Sequence, residues 1–169
     1  MNNRWIHQYL QQHRDFPKSG VVFQWYGELL RDPQGFHEVM GAFWERYQDY
    51  EIDTILGLES RGFIFAGILA YEMEIPFVLV RKCGKLPEPT LAQKFEREYG
   101  TDCFEIEEQD VGRALIIDDL LASGGSMRAA CQLVERVGGE VVEAATLLEI
   151  GALKGRETLN VPYFSFFKL

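Results

Sequence analysis

The chain has 169 residues, 47% of them hydrophobic and 25% charged, with a formal net charge of −9. That length suits one globular domain with a sizeable core. The acidic balance excludes general electrostatic attraction to nucleic acid or to an anionic membrane, so an anionic ligand must be held by a local basic cluster.

The N-terminal MNNRWIHQYLQQHR lacks the continuous apolar region of a secretory signal, and no apolar run approaches membrane-spanning length. Cys83, Cys103 and Cys131 are odd in number and show no metal-ligand spacing. Together these features predict a cytoplasmic protein with reduced thiols and no membrane partner.

In chain order, Trp5, Ile6, Tyr9 and Leu10 predict a short amphipathic helix, followed after FPKSG by the extended VVFQW. Asp32 has the character of an N-cap with Pro33 at the first helical position. Phe36, Val39, Met40, Phe43, Trp44 and Tyr47 then recur at helical spacing and are most simply core. IDTILGL predicts a strand, ESRG a turn, FIFAGILAYEM a buried helix and PFVLVRK another strand. The stretch from Cys83 to Gly100 carries proline, glycine and many charges without a clear period, which predicts a long mobile loop, and such loops are usually functional.

CFEIEE and RALIID predict two more strands. Ala130, Leu133, Val134 and Val137 mark a helix that stops at Gly138 and Gly139. VVEAATLLEI predicts a strand, ALKGRETL a short helix and PYFSFF a final strand. Alternation of this kind predicts an α/β fold with a mostly parallel sheet flanked by helices. Ligands in such folds sit beyond the carboxyl ends of the strands.

ALIIDDLLASGGSM, residues 114–127, lies at such a strand end. If RALII is a central strand, Asp118 and Asp119 emerge at its carboxyl end and LASGGS turns into the next helix. The unpaired N–H groups and positive dipole end of that helix suit a phosphate. Gly124 and Gly125 allow close backbone approach, and Ser123 and Ser126 add hydroxyls. The two carboxylates suit the vicinal hydroxyls of a ribose or a hydrated divalent metal. A sugar phosphate satisfies both halves, whereas a solvated turn would use the same residue types for no ligand.

IIDDLLASGG resembles the 5-phosphoribosyl-1-pyrophosphate (PRPP) motif of the type I phosphoribosyltransferases. GLESRGFIFAG, VLVRKCGKLPEPT, EYGTD, LKGRETL and the ending VPYFSFFKL are similar to successive segments of the adenine branch of that family, from about Phe16 to the C-terminus. The resemblance implies a single type I phosphoribosyltransferase-like domain over residues 1–169, with a base-recognition hood at about 1–30 and a mobile lid loop at about 83–100. It implies transfer of the phosphoribosyl group from PRPP to adenine, giving AMP and pyrophosphate in purine salvage, with magnesium chelated by the pyrophosphate.

By the same resemblance, Asp118 and Asp119 hold the ribose hydroxyls and support the metal-bound ligand. Ala122, Ser123, Gly124, Gly125 and Ser126 take the 5-phosphate. Glu59, Ser60, Arg61, Arg81, Lys82 and Lys85 serve the pyrophosphate, Arg61 through a planar fork and the lysines as point charges. Glu98, beside Tyr99 in the lid, is the general acid or base for the purine imidazole. Phe23 and Ile150 sandwich the base, with Val22 and Gln24 offering backbone contacts. A homodimer is implied as well.

One segment departs from the family. The usual Arg-Asp-Ile after the aromatic is Gln24-Trp25-Tyr26 here, and the proline-containing turn that follows is lost. Two further readings therefore stand beside the first: transfer to another purine base, and a PRPP or nucleotide sensor without turnover. The first would be expected to need a lysine near Phe23 or Ile150, and none is there; the second usually brings an added nucleic-acid-binding module or basic face, and this chain is acidic.

Overall fold

A computed structural model describes residues 3–16, 18–97 and 100–169. The chain divides into two compact units, residues 1–42 and 43–169.

The first unit opens with the expected short helix, which is a 3-10 helix over Asn3–Tyr9. Strand β1 (Gln11–Arg14) follows almost at once and pairs antiparallel with β2 (Val22–Trp25), so the helical run ends after barely two turns. Ile6, Tyr26 and Leu29 are fully buried and form the small core. The brief helix α1 (Gly27–Arg31), which has no periodic signal, precedes α2 (Pro33–Tyr47). Asp32 starts α2 as expected: its Oδ1 accepts the Gln34 N–H at 3.2 Å, and the Tyr9 hydroxyl bonds its other oxygen.

The second unit holds a seven-stranded sheet in the order β5-β6-β4-β3-β7-β8-β9. β3 (Thr54–Leu58), β4 (Phe77–Lys82), β7 (Arg113–Leu121), β8 (Glu140–Glu149) and β9 (Tyr163–Lys168) run parallel, while β6 (Gly100–Glu107) and β5 (Thr90–Arg97) add an antiparallel edge. Every residue of β3 is buried, as expected of a strand covered on both faces. Leu56, Leu58, Ile116 and Ala144 face helix α4 (Gly125–Arg136), packing with its Met127, Ala130, Leu133 and Val134. On the opposite face, Gly57 lies against Ala66 of α3 (Gly62–Met73). Phe43 stacks on Phe166 with ring centroids 6.5 Å apart. Phe43, Val39, Met40 and Tyr47 are buried and Trp44 is 41% exposed, which makes the aromatic stripe of α2 mainly core.

Two expectations are corrected here. Residues 90–97 form the edge strand β5 rather than structureless loop: β6 supplies its ladder, and Phe95 packs on Phe104 with centroids 4.8 Å apart. Cys83 and Cys103 are joined by a disulfide rather than free. β4 and β6 are neighbours, the Cys83 N–H donates to the Cys103 carbonyl at 3.1 Å, and the Cα atoms stand 5.5 Å apart, within bridging range. Cys131 is free and buried.

Candidate active site

β7 does not end at the acids but continues through Leu121. Its neighbour β3 stops at Leu58, one residue past the Gly57–Ile117 pair, while β8 still pairs with Asp118 through Thr146. One flank of the acids is therefore open. Asp118 is half-buried and Asp119 only 5% exposed.

The start of α3 closes in on them because residue 62 is glycine. A Cβ there would stand 2.7 Å from the Ile117 carbonyl and 3.0 Å from Asp118 Oδ1. That close approach brings Arg61 Nη2 to 3.0 Å from Asp119 Oδ2. The Asp119 N–H donates to Asp118 Oδ1 at 2.8 Å. Burial first, then the negative charge of Asp119, pushes the Asp118 carboxyl well above the usual carboxylate range, with Arg61 opposing. The pair is thus not two independent full charges.

Beyond Leu121 the chain turns through Ala122 and Ser123 to Gly124, whose φ of +86° is natural only to glycine, and enters α4 at Gly125. The first N–H groups of this twelve-residue helix face the same end of the sheet. Gly125 also has a packing reason to lack a side chain, since a Cβ would meet the Glu96 carbonyl of β5 at 2.5 Å.

The basic side is organised by carboxylates. The Glu59–Ser60 peptide is cis. Glu59 Oε2 accepts the Lys82 backbone N–H at 2.9 Å and Arg81 Nε at 3.2 Å. Those partners, the Lys82 N–H foremost, hold the Glu59 carboxyl below its ordinary range despite partial burial. Arg81 also donates to the Lys85 carbonyl, and Glu105 Oε1 accepts the Lys85 and Leu86 N–H groups at 2.7 Å each. Lys82 Nζ pairs with Asp102 Oδ2 at 3.3 Å.

A cavity of about 560 Å³ gathers these parts. Glu59, Ser60, Arg61 and Lys82 line it together with Asp118, Asp119, Ala122, Ser123 and Ser126. Gly124 in the turn, Gly125 at the start of α4, Arg81 on β4 and Lys85 just beyond it are not among its lining residues. Phe104 and Leu120 line it as well, and Asp102 and Glu105 position its basic side. Sequence reasoning misses Asp102, Phe104 and Glu105 because β6 carries no motif, and passes over Leu120 of β7 because it is an apolar residue between the acids and the turn. The one hint was a glutamate, Glu105, between two strongly apolar neighbours in CFEIEE.

Of the base-contact candidates, Val22, Phe23 and Gln24 lie on β2 of the first unit, where Gln24 is buried and Phe23 packs on Trp25 with centroids 6.3 Å apart. Ile150 follows β8 in the second unit, its N–H donating to the Leu121 carbonyl at 2.8 Å. Glu98 and Tyr99 lie outside the described residues.

A parallel-sheet α/β fold with a carboxylate pair, a glycine turn and paired cations at one strand end defines a class that handles phosphorylated sugars. Residues 26–167 match the family model described as the phosphoribosyl transferase domain. The chain is 46% identical over 149 residues to the adenine phosphoribosyltransferase of Solibacter usitatus, covering 86% of each. The crystal structure of adenine phosphoribosyltransferase from Rhodothermus marinus superposes with a TM-score of 0.92 at 40% identity, over 99% of this chain and 98% of that one. The Saccharomyces cerevisiae enzyme, crystallised with an imino-altritol bisphosphate and adenine, superposes with a TM-score of 0.89 at 38% identity, over 96% and 97%. The chain belongs to the phosphoribosyltransferase family, and within it to the adenine phosphoribosyltransferases.

Proposed function

We propose that the protein joins adenine to the ribosyl carbon of PRPP, giving AMP and pyrophosphate, a purine-salvage step of AMP biosynthesis. The observation that carries this reading is the meeting of Asp118 and Asp119, the Ala122–Ser126 turn, and Arg61 with Lys82 around one cavity. In the proposal the turn and the α4 N-terminus take the 5-phosphate, the two acids take the ribose hydroxyls, and Arg61 and Lys82 face the pyrophosphate. Glu59 and Glu105 act on ligand indirectly, by fixing Arg81, Lys82 and Lys85.

An imidazole nitrogen of adenine forms the new bond as pyrophosphate departs with the electron pair of the old one. Positive charge develops on the ribosyl ring, and fixed negative charge at Asp119 favours it. The displaced purine proton passes to a base, the role assigned to Glu98. Within the second unit, Ile150 is the residue proposed to contact the base. The segment around residues 83–100 acts as a lid that excludes water from the reacting centre.

Magnesium fits this donor set as a companion of the substrate. The cation would be carried by phosphate oxygens, with Asp118 or Asp119 adding a ligand. When bound, it supplies neutralisation of the pyrophosphate charge.

The protein works in this reading as a single phosphoribosyltransferase domain, 1–169, forming a cytoplasmic homodimer with neither nucleic-acid nor membrane partners. The 80% exposure of Tyr71 beside the exposed Phe77 supports the dimer, and no helix among the described residues is long and apolar enough to cross a membrane.

The test is a product assay with PRPP and magnesium, offering adenine, hypoxanthine, guanine and xanthine in parallel. AMP from adenine alone bears the proposal out. Product only from another base would place altered specificity in Gln24-Trp25-Tyr26, and PRPP binding without product from any base would leave a sensor.

A further inference from the structure

The glycine turn of the cavity packs against a neighbouring stretch of chain. Its back is covered by a second turn, the 3-10 helix Gly155–Thr158, and the two meet backbone to backbone. A Cβ on Gly155 would run into the Ala122 carbonyl and stand 2.9 Å from the Gly124 nitrogen. A Cβ on Gly124 would in turn meet the Thr158 hydroxyl and stand 2.7 Å from the Gly155 carbonyl. Thr158 Oγ1 donates to the Gly155 carbonyl at 2.8 Å, which fixes the shape of the supporting turn.

That turn is anchored by one ion pair. Arg156 Nη2 donates to Glu149 Oε2 at 2.8 Å, and its guanidinium lies 4.7 Å from the centre of the Tyr163 ring. Glu149, at the end of β8, is 2% exposed; it also accepts Ser165 Oγ at 3.0 Å and pairs with Lys168 at 3.5 Å. The next residue, Ile150, donates to the Leu121 carbonyl, so the same anchor reaches β7 one residue before the phosphate turn begins.

We propose that Gly155, Thr158 and the Arg156–Glu149 pair are positioning residues for the 5-phosphate turn, setting the backbone geometry of Ala122–Gly124 from behind and so governing PRPP affinity without touching substrate. The proposal rests on the reading of Ala122–Ser126 as the 5-phosphate site. Displacing donors by about 1 Å is enough to cost roughly 100-fold in a positioned reaction, so the effect is measurable even when the fold survives.

The experiment is steady-state kinetics with PRPP and adenine varied separately, on Arg156→Met, Arg156→Lys, Gly155→Ala and, as a marker of the site itself, Ser123→Ala with Ser126→Ala. Arg156→Met and Gly155→Ala are expected to raise the KM for PRPP about tenfold or more while the KM for adenine stays within about twofold, and Arg156→Lys should recover most of the loss. Should Gly155→Ala fail to fold, the Arg156 pair of variants carries the test. An unchanged PRPP KM in folded Arg156→Met, or a loss spread equally over both substrates, overturns the positioning role when the serine marker does shift PRPP KM. A marker that leaves PRPP KM unchanged overturns the phosphate-site reading and this inference with it.

Discussion

Arg61 and Asp119 form an ion pair at 3.0 Å inside the proposed substrate cavity, so the more buried acid of the Asp118–Asp119 pair is held by a cationic partner. The carboxylate is held in one orientation before any ligand arrives. Asp119→Asn keeps the shape and an oxygen for Arg61 but removes the charge. Turnover should fall by about 100-fold or more, with the thermal midpoint close to that of the wild type, because fixed charge at the reacting centre matters far more to the transition state than to the fold. Full activity in the folded variant would remove the pair from the ribose site.

Glu143 provides the contrasting case. It is 5% exposed and accepts Arg46 Nε and Nη2 at 2.7 Å each and the Tyr47 hydroxyl at 2.6 Å, none of them lining the cavity. Removing one member of such a buried pair leaves the others unsatisfied. Glu143→Ala should cost about 2–4 kcal/mol, discounted from fully buried cases because Arg46 is a third exposed, and kcat at a temperature where the variant is folded should be unchanged. Denaturant unfolding beside an activity assay separates the two quantities; a large kcat loss in folded protein would contradict the assignment.

Why one part of this molecule could be read from its sequence and another could not follows from where the information sits. RALII, Asp118, Asp119 and the double glycine are local: apolar run, charge and turn adjoin in the chain, and the cavity forms where they predict it. The extension of β7 to Leu121 is not local, because β8 supplies the pairing that carries the strand past its acids. β5 is rich in charges and holds its shape through main-chain bonds to β6, a contribution no periodicity in TLAQKFER reveals. The same is true of the Cys83–Cys103 bridge, which depends on β4 and β6 being neighbours, and of the contact between Gly155 and Gly124, which are 31 positions apart by numbering.

The cysteine arrangement is directly measurable. Cys131 is buried and burial, with the charge of Glu135, pushes its thiol up to about 12, so it should resist alkylation at neutral pH in the folded protein. Native protein treated with iodoacetamide should gain no label without reductant and two labels after mild reduction, at Cys83 and Cys103, as intact mass and peptide mapping would show. Since the bridge spans a sequence separation of 20, its loss should lower stability by at most about 3 kcal/mol. Two labels without any reductant would mean that the bond is absent in solution.

Asp118 makes stability depend on pH in a direction opposite to most native carboxylates. Its folded pKa is raised above the ordinary 3.8, by burial and by Asp119, so over the interval between those two values the native state binds a proton that the unfolded chain has released. The unfolded state then binds fewer protons than the native state, and stability falls as pH rises through that interval. The contribution is fully present below about pH 3.8 and lost above the raised folded value. Asp118→Asn removes the titration while keeping the side-chain shape. The variant should therefore melt at a higher temperature than the wild type at neutral pH in the absence of ligand, with the difference shrinking steadily toward acid, while turnover falls because the ribose hydroxyls lose an acceptor. Melting curves across the pH range test the first half and the product assay the second; a constant difference in midpoint at all pH values would show that the proton on Asp118 is not the cause.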